Sequence, residues 1–506
     1  MTDTQPVHTR ALIIGTGFSG LGMAIALQKQ GFGPADFLIL EKADEVGGTW
    51  RDNTYPGAAC DIPSHLYSFS FEPKPDWRHV YSYQPDIFDY LKGVADKYGL
   101  RPHIAFNTKV QRVQWDDAEN RWHVYTDTGV EYVAQFLVSG AGGLHIPSLP
   151  DIPGIADFAG PMFHTAQWDH GVDLAGKRVA VIGTGASAIQ VVPELVKTVE
   201  SLQLYQRTAA WVKPRLNFEF PPAVKRAFTR VPGVRAAWRA ATFWALDARA
   251  IAMAKRPGLM KVAEWEYRLY MRRQIADPVL RAKLTPKYSP GCKRILVSDN
   301  FYPAVADPKT EVITDGIARV TPHSIVTADG AEREVDAIVL ATGFHVTDWY
   351  TFVEIKGAHG EDLVDRWNRE GVVAHRGIMA ADVPNLFFLL GPNTALGHNS
   401  VVFMIEAQIR YVAAAIAAVD DADAQALAPT RAAQDDFNDK LQHDLATTVW
   451  NIGGCSSWYL DSHGVNRSLW SGLASEYWLA TRSFAPEEYT FSGVGSRHSE
   501  SVSAGG

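Results

Sequence analysis

Cysteine is scarce: three residues in 506, namely Cys60, Cys292 and Cys455. They lie far apart, with no metal-ligand spacing and no disulfide framework, so neither a bound metal nor a stapled secreted scaffold is expected. That usage fits a reducing cytoplasm. Basic charge is also short. The chain has 48 lysines and arginines against 56 acids and a net charge of −8, which argues against a general nucleic-acid binder. No uninterrupted apolar run is long enough to span a bilayer, so no integral membrane segment is expected. No signal peptide is expected before the first apolar strand near Ala11. What remains is the composition of a globular chain, long enough for two or three domains.

Glycine, by contrast, is concentrated at two informative places. The first is Gly15-Thr16-Gly17-Phe18-Ser19-Gly20. The apolar run Ala11–Ile14 before it suits a buried parallel strand, and Leu21 to Gln30 has helical composition. A second strand, Phe37–Leu40, ends in Glu41, 26 positions after Gly15. This is the layout of a dinucleotide-binding βαβ unit. Gly15 permits the tight turn, Gly17 the approach of a pyrophosphate, and Gly20 the packing of helix on strand. The helix N-terminus offers free N–H groups to the phosphates, and the acid binds a ribose.

The second place is Gly183-Thr184-Gly185-Ala186-Ser187-Ala188, after the strand-like Lys177–Ile182. Ala188 replaces the third glycine, as the pattern allows. The following strand, Leu202–Gln206, ends in Arg207-Thr208 where an acid would bind the ribose of NADH. A guanidinium there suits a 2′-phosphate, which a carboxylate would repel. The first site therefore reads as FAD and the second as NADPH.

The expected fold class is α/β, with two dinucleotide-binding (Rossmann-like) domains and a helical insertion in the second. The FAD domain is assigned residues 1–150 and 377–506. The NADPH domain is assigned 151–376, after the proline-rich linker 147–154. Its closing strand is Val335–Leu340. After Pro384 an apolar strand, Asn385–Leu390, and a helix from about Val401 to Val419 return to the first domain. The tail from about Ser492 is Ser/Gly-rich and expected to be disordered. The insertion, about 221–284, is rich in basic and aromatic residues, among them Arg230, Arg235, Trp238, Trp244, Trp265 and Arg273. Three readings stay open for it: a cover over the substrate pocket, a membrane-surface patch, or an amphipathic insert whose solvated face is basic.

Between the two loops runs Phe158-x-Gly160-x-x-x-His164-Thr165-x-x-Trp168-Asp169. With it the chain resembles the Baeyer–Villiger monooxygenases, within the class B flavoprotein monooxygenases, whose fingerprint has the form F-x-G-x-x-x-H-T-x-x-W-[P/D]. Gly47-Gly48-Thr49-Trp50, then Tyr55-Pro56-Gly57 and Asp61, match a second family motif. Cys292-Lys293-Arg294 matches the third. Ile295 departs from the proline that many relatives carry there. The resemblance spans nearly the whole chain. It implies that NADPH reduces FAD, that O2 adds to give a C4a-peroxyflavin, and that this attacks a small apolar ketone to yield an ester or lactone. Arg294 is the expected fixed cation for the anionic oxygens, held by Asp61. Lys293, Arg207 and Thr208 would grip the 2′-phosphate. Gly48, Thr49, Trp50, Tyr67 and Val110 join the expected cofactor-binding set, with Trp50 and Tyr55 packed along the flavin. His164 and Trp168 are expected to couple domain movement. The alternatives are a monooxygenase acting on sulfide or amine heteroatoms, and a flavin reductase or nucleotide-binding regulator.

Overall fold

The first glycine loop follows β1 (Val7–Ile14), whose residues Ala11, Leu12 and Ile13 are fully buried. In this computed structural model, which describes residues 5–493, β1 lies between β2 (Phe37–Leu40) and β6 (Glu131–Ser139), parallel to both. β3 (Ile104–Ala105) extends the sheet beyond β2. On its other side β6 has two partners. β5 (Arg121–Thr126) pairs antiparallel along its first half, and the strand Leu386–Phe388 pairs parallel along its second. β4 (Val110–Asp116) pairs with β5 and carries the strand Glu354–Lys356 at the outer edge. Strands buried on both faces need near-continuous apolar runs, which β2, β6 and the second half of β1 have. α1 (Phe18–Lys29) packs on the helix Val401–Asp421. That helix is long and apolar enough by length and composition to cross a membrane, yet it lies in the first domain's core.

The second sheet is wholly parallel. Its order is β12 (Thr310–Ile313), β9 (Ser201–Tyr205), β8 (Arg178–Ile182), Ala337–Leu340, β7 (Met162–His164). α4 (Ala186–Leu195) follows β8. The remaining early helices, α2 (Thr49–Asp52) and α3 (Gln84–Lys97), belong to the first domain. The expected α/β class with two Rossmann-like domains is borne out. So is the helical insertion: α5 (Pro222–Arg230), α6 (Val234–Asp247), α7 (Met260–Gln274) and α8 (Pro278–Leu284) follow one another between β10 (Val212–Lys213) and β11 (Leu296–Val297). The two strands pair in parallel and close the insertion at its base.

Three readings need correction. The chain is back in the first sheet by Glu354–Lys356, before the boundary set at 376. That strand has three residues and one buried position, too short to show a period. Cys292 and Cys455 form a disulfide. They are 163 residues apart, so spacing alone could not pair them. The loop at Gly453 brings them together, donated to from Ser289 N and packed on Cys292. Cys60 is buried and free. Of the tail expected to be disordered, Ser492 closes the strand Tyr489–Ser492, and residues 494–506 lie outside those described.

Candidate active site

Ligands in doubly wound sheets sit beyond the carboxyl ends of the strands, and both loops lie there. A side chain at Gly17 or at Gly185 would meet no atom within 4 Å. Each loop thus leaves open space in front of a helix N-terminus, as an approaching pyrophosphate requires. A side chain at Gly20 would fall 1.9 Å from the Gly15 carbonyl. Glu41 is buried at the end of β2, where its carboxylate accepts from Thr16 N at 3.0 Å and Thr16 Oγ1 at 2.5 Å. Arg51 on α2 pairs with it at 2.9 Å. Arg51 is a member of this site that the sequence motifs did not single out. Val110 opens β4, just after Thr108, whose N–H donates to the Glu41 carbonyl. Gly48 leans over Gly17: a side chain on it would lie 3.2 Å from the Gly17 Cα. Thr49 starts α2.

Phe18, Trp50 and Tyr67 form one aromatic group with Ser19 buried beside Phe18. The Phe18 and Tyr67 rings are 5.2 Å apart, and the Trp50 indole N–H donates to the Tyr67 hydroxyl at 3.2 Å. Tyr55 lies elsewhere. It packs in the second domain's core and donates to Gln190 Oε1 on α4 at 2.8 Å. Its hydroxyl is thus engaged by the second domain and not by the Phe18 group. The same glutamine donates to the Ala59 carbonyl at 2.9 Å. Gly57, at φ +83°, lets this loop touch α4, because any Cβ would sit 2.6 Å from the Gln190 carbonyl. Residues 55–60 are thus clamped on the second domain, and Asp61 follows directly.

There Asp61 meets Arg294, which stands two residues before β11. Arg294 Nε donates to Oδ2 at 2.6 Å and one terminal nitrogen to Oδ1 at 2.9 Å. The other terminal nitrogen donates to the Leu396 carbonyl at 3.0 Å. Such a two-point fork fixes both distance and plane. Burial works to raise the Asp61 pKa, but the charge and hydrogen bonds of Arg294 outweigh it and hold the carboxyl below its usual range. Three further neighbours came without a motif. Arg215 donates to the Cys60 carbonyl at 3.0 Å and lends positive charge to Asp61. Lys213 is held down to about 8, first by burial and then by Arg249. Tyr459 is buried near Arg294, and burial raises its hydroxyl to about 12. Only the basic run Lys213–Arg215 after the Arg207 strand could have hinted at this cluster.

At the second loop, Thr184 Oγ1 donates to the Thr208 carbonyl at 2.7 Å, so the loop and the end of β9 are tied. Arg207 is exposed. Lys293 comes close enough that its pKa is lowered, first by burial and then by the Arg207 charge. Two cations that repel each other are suited to an anion between them. Ser187 and the buried Ala188 lie in the first turn of α4. Arg207→Ala is expected to raise the KM for NADPH far more than that for NADH, by the ~1.5–3 kcal/mol of a charged hydrogen bond. Steady-state kinetics with both cofactors checks this; equal effects would place Arg207 outside the phosphate site.

His164 ends β7 beside Leu340. Its Nδ1 accepts from Ala166 N at 3.1 Å, and its ring packs edge-on to Phe344 at 5.5 Å. Phe344 lies where the chain leaves the second domain. There it bridges to Pro147 of the linker, and Ser148 N donates to the Gly343 carbonyl at 2.8 Å. Both interdomain crossings therefore run together here, and His164 packs on the one that carries Phe344. Trp168 stacks edge-on to Phe163 at 4.9 Å and packs on the cluster that holds Tyr55. Burial pushes His164 down to about 4, and also His65, where Arg235 and Arg239 add to it. Both rings are neutral when folded, whereas the unfolded imidazoles protonate near pH 6.5. The stability they confer is complete above pH 6.5 and is lost as pH falls towards 4, on the order of 3 kcal/mol each at most. Calorimetric melting between pH 7.5 and 4.5 should show the decline, flattened in His65→Gln and His164→Gln. A slope unchanged by both variants would contradict it.

With this geometry in hand, similarity decides the family. A Baeyer–Villiger monooxygenase of Pseudomonas aeruginosa is 46% identical over 493 residues, covering 96% of this chain and 93% of that protein. The chain belongs to the Baeyer–Villiger monooxygenases. A family model described as pyridine nucleotide-disulphide oxidoreductase matches residues 12–232, which hold both glycine loops. The crystal structure of cyclohexanone monooxygenase from Rhodococcus sp. Phi1 bound to NADP+ superposes with a TM-score of 0.87 at 28% identity, covering 97% of this chain and all of that one. The OTEMO complex with FAD and NADP gives 0.85 at 27% identity, covering 97% and 100%. The enzyme is an NADPH-dependent flavoprotein monooxygenase.

Proposed function

We propose that this Baeyer–Villiger monooxygenase uses FAD and NADPH to insert one atom of O2 beside the carbonyl of a small apolar ketone, giving an ester or lactone. The observation that carries this reading is the Arg294–Asp61 fork, which joins a residue after the first glycine loop to one after the second. Bound reduced flavin supplies the electrons and the oxygen activation; the protein supplies position and charge. Arg294 keeps its proton at any working pH, because Asp61 stabilises its cation against burial. It serves as a preorganised positive charge for oxygen that turns anionic in the reaction. Asp61 aims it, and the Leu396 carbonyl fixes its third edge. Arg207 and Lys293 hold the NADPH phosphate, and the glycine loops hold the two pyrophosphates. Neutral His164, packed on Phe344 where the two crossings are bonded to each other, transmits movement between the domains.

The test is a panel of cyclic and linear ketones, with an aryl methyl sulfide alongside. NADPH consumption and product identity are followed together. Esters or lactones formed in step with NADPH support the reading. Sulfoxide from the sulfide with no ester from any ketone would replace it with heteroatom oxidation.

A further inference from the structure

The helical insertion carries a surface that the reaction does not use. In the segment 221–284 there are 14 lysines and arginines against 4 acids, in a chain whose net charge is −8. α6 lies at its centre. Its inner side is anchored: Asp247, fully buried, accepts from Ala474 N and Ser475 Oγ, both at 2.7 Å, and Arg239 donates to the His65 carbonyl at 2.6 Å. Its outer side has no such partners among the described residues. Val234, Ala237, Trp238, Ala241, Trp244 and Ala248 recur at helical spacing and are all exposed. Trp244 is 59% exposed. Asp247 is the one acid of α6, so the helical part of the outer stripe carries no negative charge.

The stripe extends beyond the helix. Trp238 meets Phe220 at 6.1 Å, and Phe220 meets Phe218 at 5.9 Å. Phe218 is 53% exposed and Leu216, beside it, 73%; the exposed acid between Phe218 and Phe220, Glu219, is paired with Arg78 and Lys225 at 3.5 Å each. Exposed Arg226 and Arg230 on α5 and exposed Arg249 after α6 border this apolar band in sequence. An apolar stripe in a segment with a large excess of cations, with tryptophans that can bury a ring and keep an N–H in water, matches the interface of an anionic bilayer. A second copy of the chain fits poorly, since a two-fold contact would set the same cations against each other. The next residue in from this loop is Arg215, which bonds Cys60 beside Asp61. A bilayer seated on the stripe would lie next to the active-site loop and hold apolar substrates at high local concentration.

We infer that the outer face of α6, with the Leu216–Phe218 loop, docks the enzyme reversibly on the surface of an anionic lipid membrane. The inference stands independently of the substrate assignment. The purified holoenzyme is sedimented with vesicles of phosphatidylcholine, with and without phosphatidylglycerol. Binding to the anionic vesicles is expected, weakened as salt is raised, with little binding to the neutral ones. Trp244→Ser with Phe218→Ser should weaken it about tenfold or more, and Arg226→Gln or Arg230→Gln about fivefold each. Flavin content and turnover of a water-soluble ketone should remain as in the parent, which separates loss of docking from loss of fold. Absence of binding to anionic vesicles would overturn the proposal, and so would binding that these variants leave intact. A concentration-dependent dimer in sedimentation velocity that Trp244→Ser dissolves would also overturn it, by assigning the stripe to self-association.

Discussion

Arg294→Ala is expected to stop ester formation while NADPH oxidation continues. The hydride step draws on the phosphate-binding residues Arg207 and Lys293, which this substitution leaves in place. The oxygen-transfer step loses its fixed cation, and removal of one preorganised charge partner costs about 10²–10³-fold in rate. Oxygen consumed without product should leave as hydrogen peroxide. The measurement is therefore a ratio, ester formed per NADPH consumed, with peroxide assayed in the same reaction. Arg294→Lys refines it. Lysine keeps the charge but not the planar fork that bonds both Asp61 oxygens and Leu396. Its ratio should fall between those of parent and alanine variant. Flavin content controls for folding, since the alanine variant leaves Asp61 without its partner. Near-parental ester yield from Arg294→Ala would take this residue out of the mechanism.

Much of this was legible in the sequence because the decisive patterns are local. A glycine loop needs a strand before it and a helix after it within some thirty residues, and β1, α1 and β8, α4 lie where those patterns put them. Other features were not legible, each because it depends on long-range contact. Tyr55 sits six residues before Asp61 and beside a flavin-type motif, yet its hydroxyl is taken by Gln190, 135 residues on. That hydrogen bond is a domain contact that the sequence does not mark. Cys292 and Cys455 looked isolated because pairing follows from loop packing rather than spacing. Arg215 carries no motif, and its part beside Asp61 follows from the β10–β11 pairing that returns the chain to the site. Tyr459 arrives from the C-terminal part of the chain, which has no motif to announce it.

Asp61→Ala should produce the second large effect, through a different cause. The guanidinium remains but loses two of its three directional contacts, keeping only the Leu396 carbonyl. A misplacement of the order of 1 Å can cost about 10²-fold in rate, so ester formation should fall while peroxide release rises. Asp61→Asn distinguishes aim from charge. It retains an acceptor for Arg294, and partial rescue would show that direction matters as well as the carboxylate. The decisive experiment combines Asp61→Ala with Arg294→Ala. If the two form a unit, the double variant should be little worse than Arg294→Ala alone, because a carboxylate with no guanidinium to aim has nothing left to contribute. The clamp of residues 55–60 on α4 gives this pairing its structural basis, since it delivers Asp61 to an arginine 233 positions away. Losses that simply multiply in the double variant would mean that Asp61 and Arg294 act separately, and that their fork is an ion pair of stability alone.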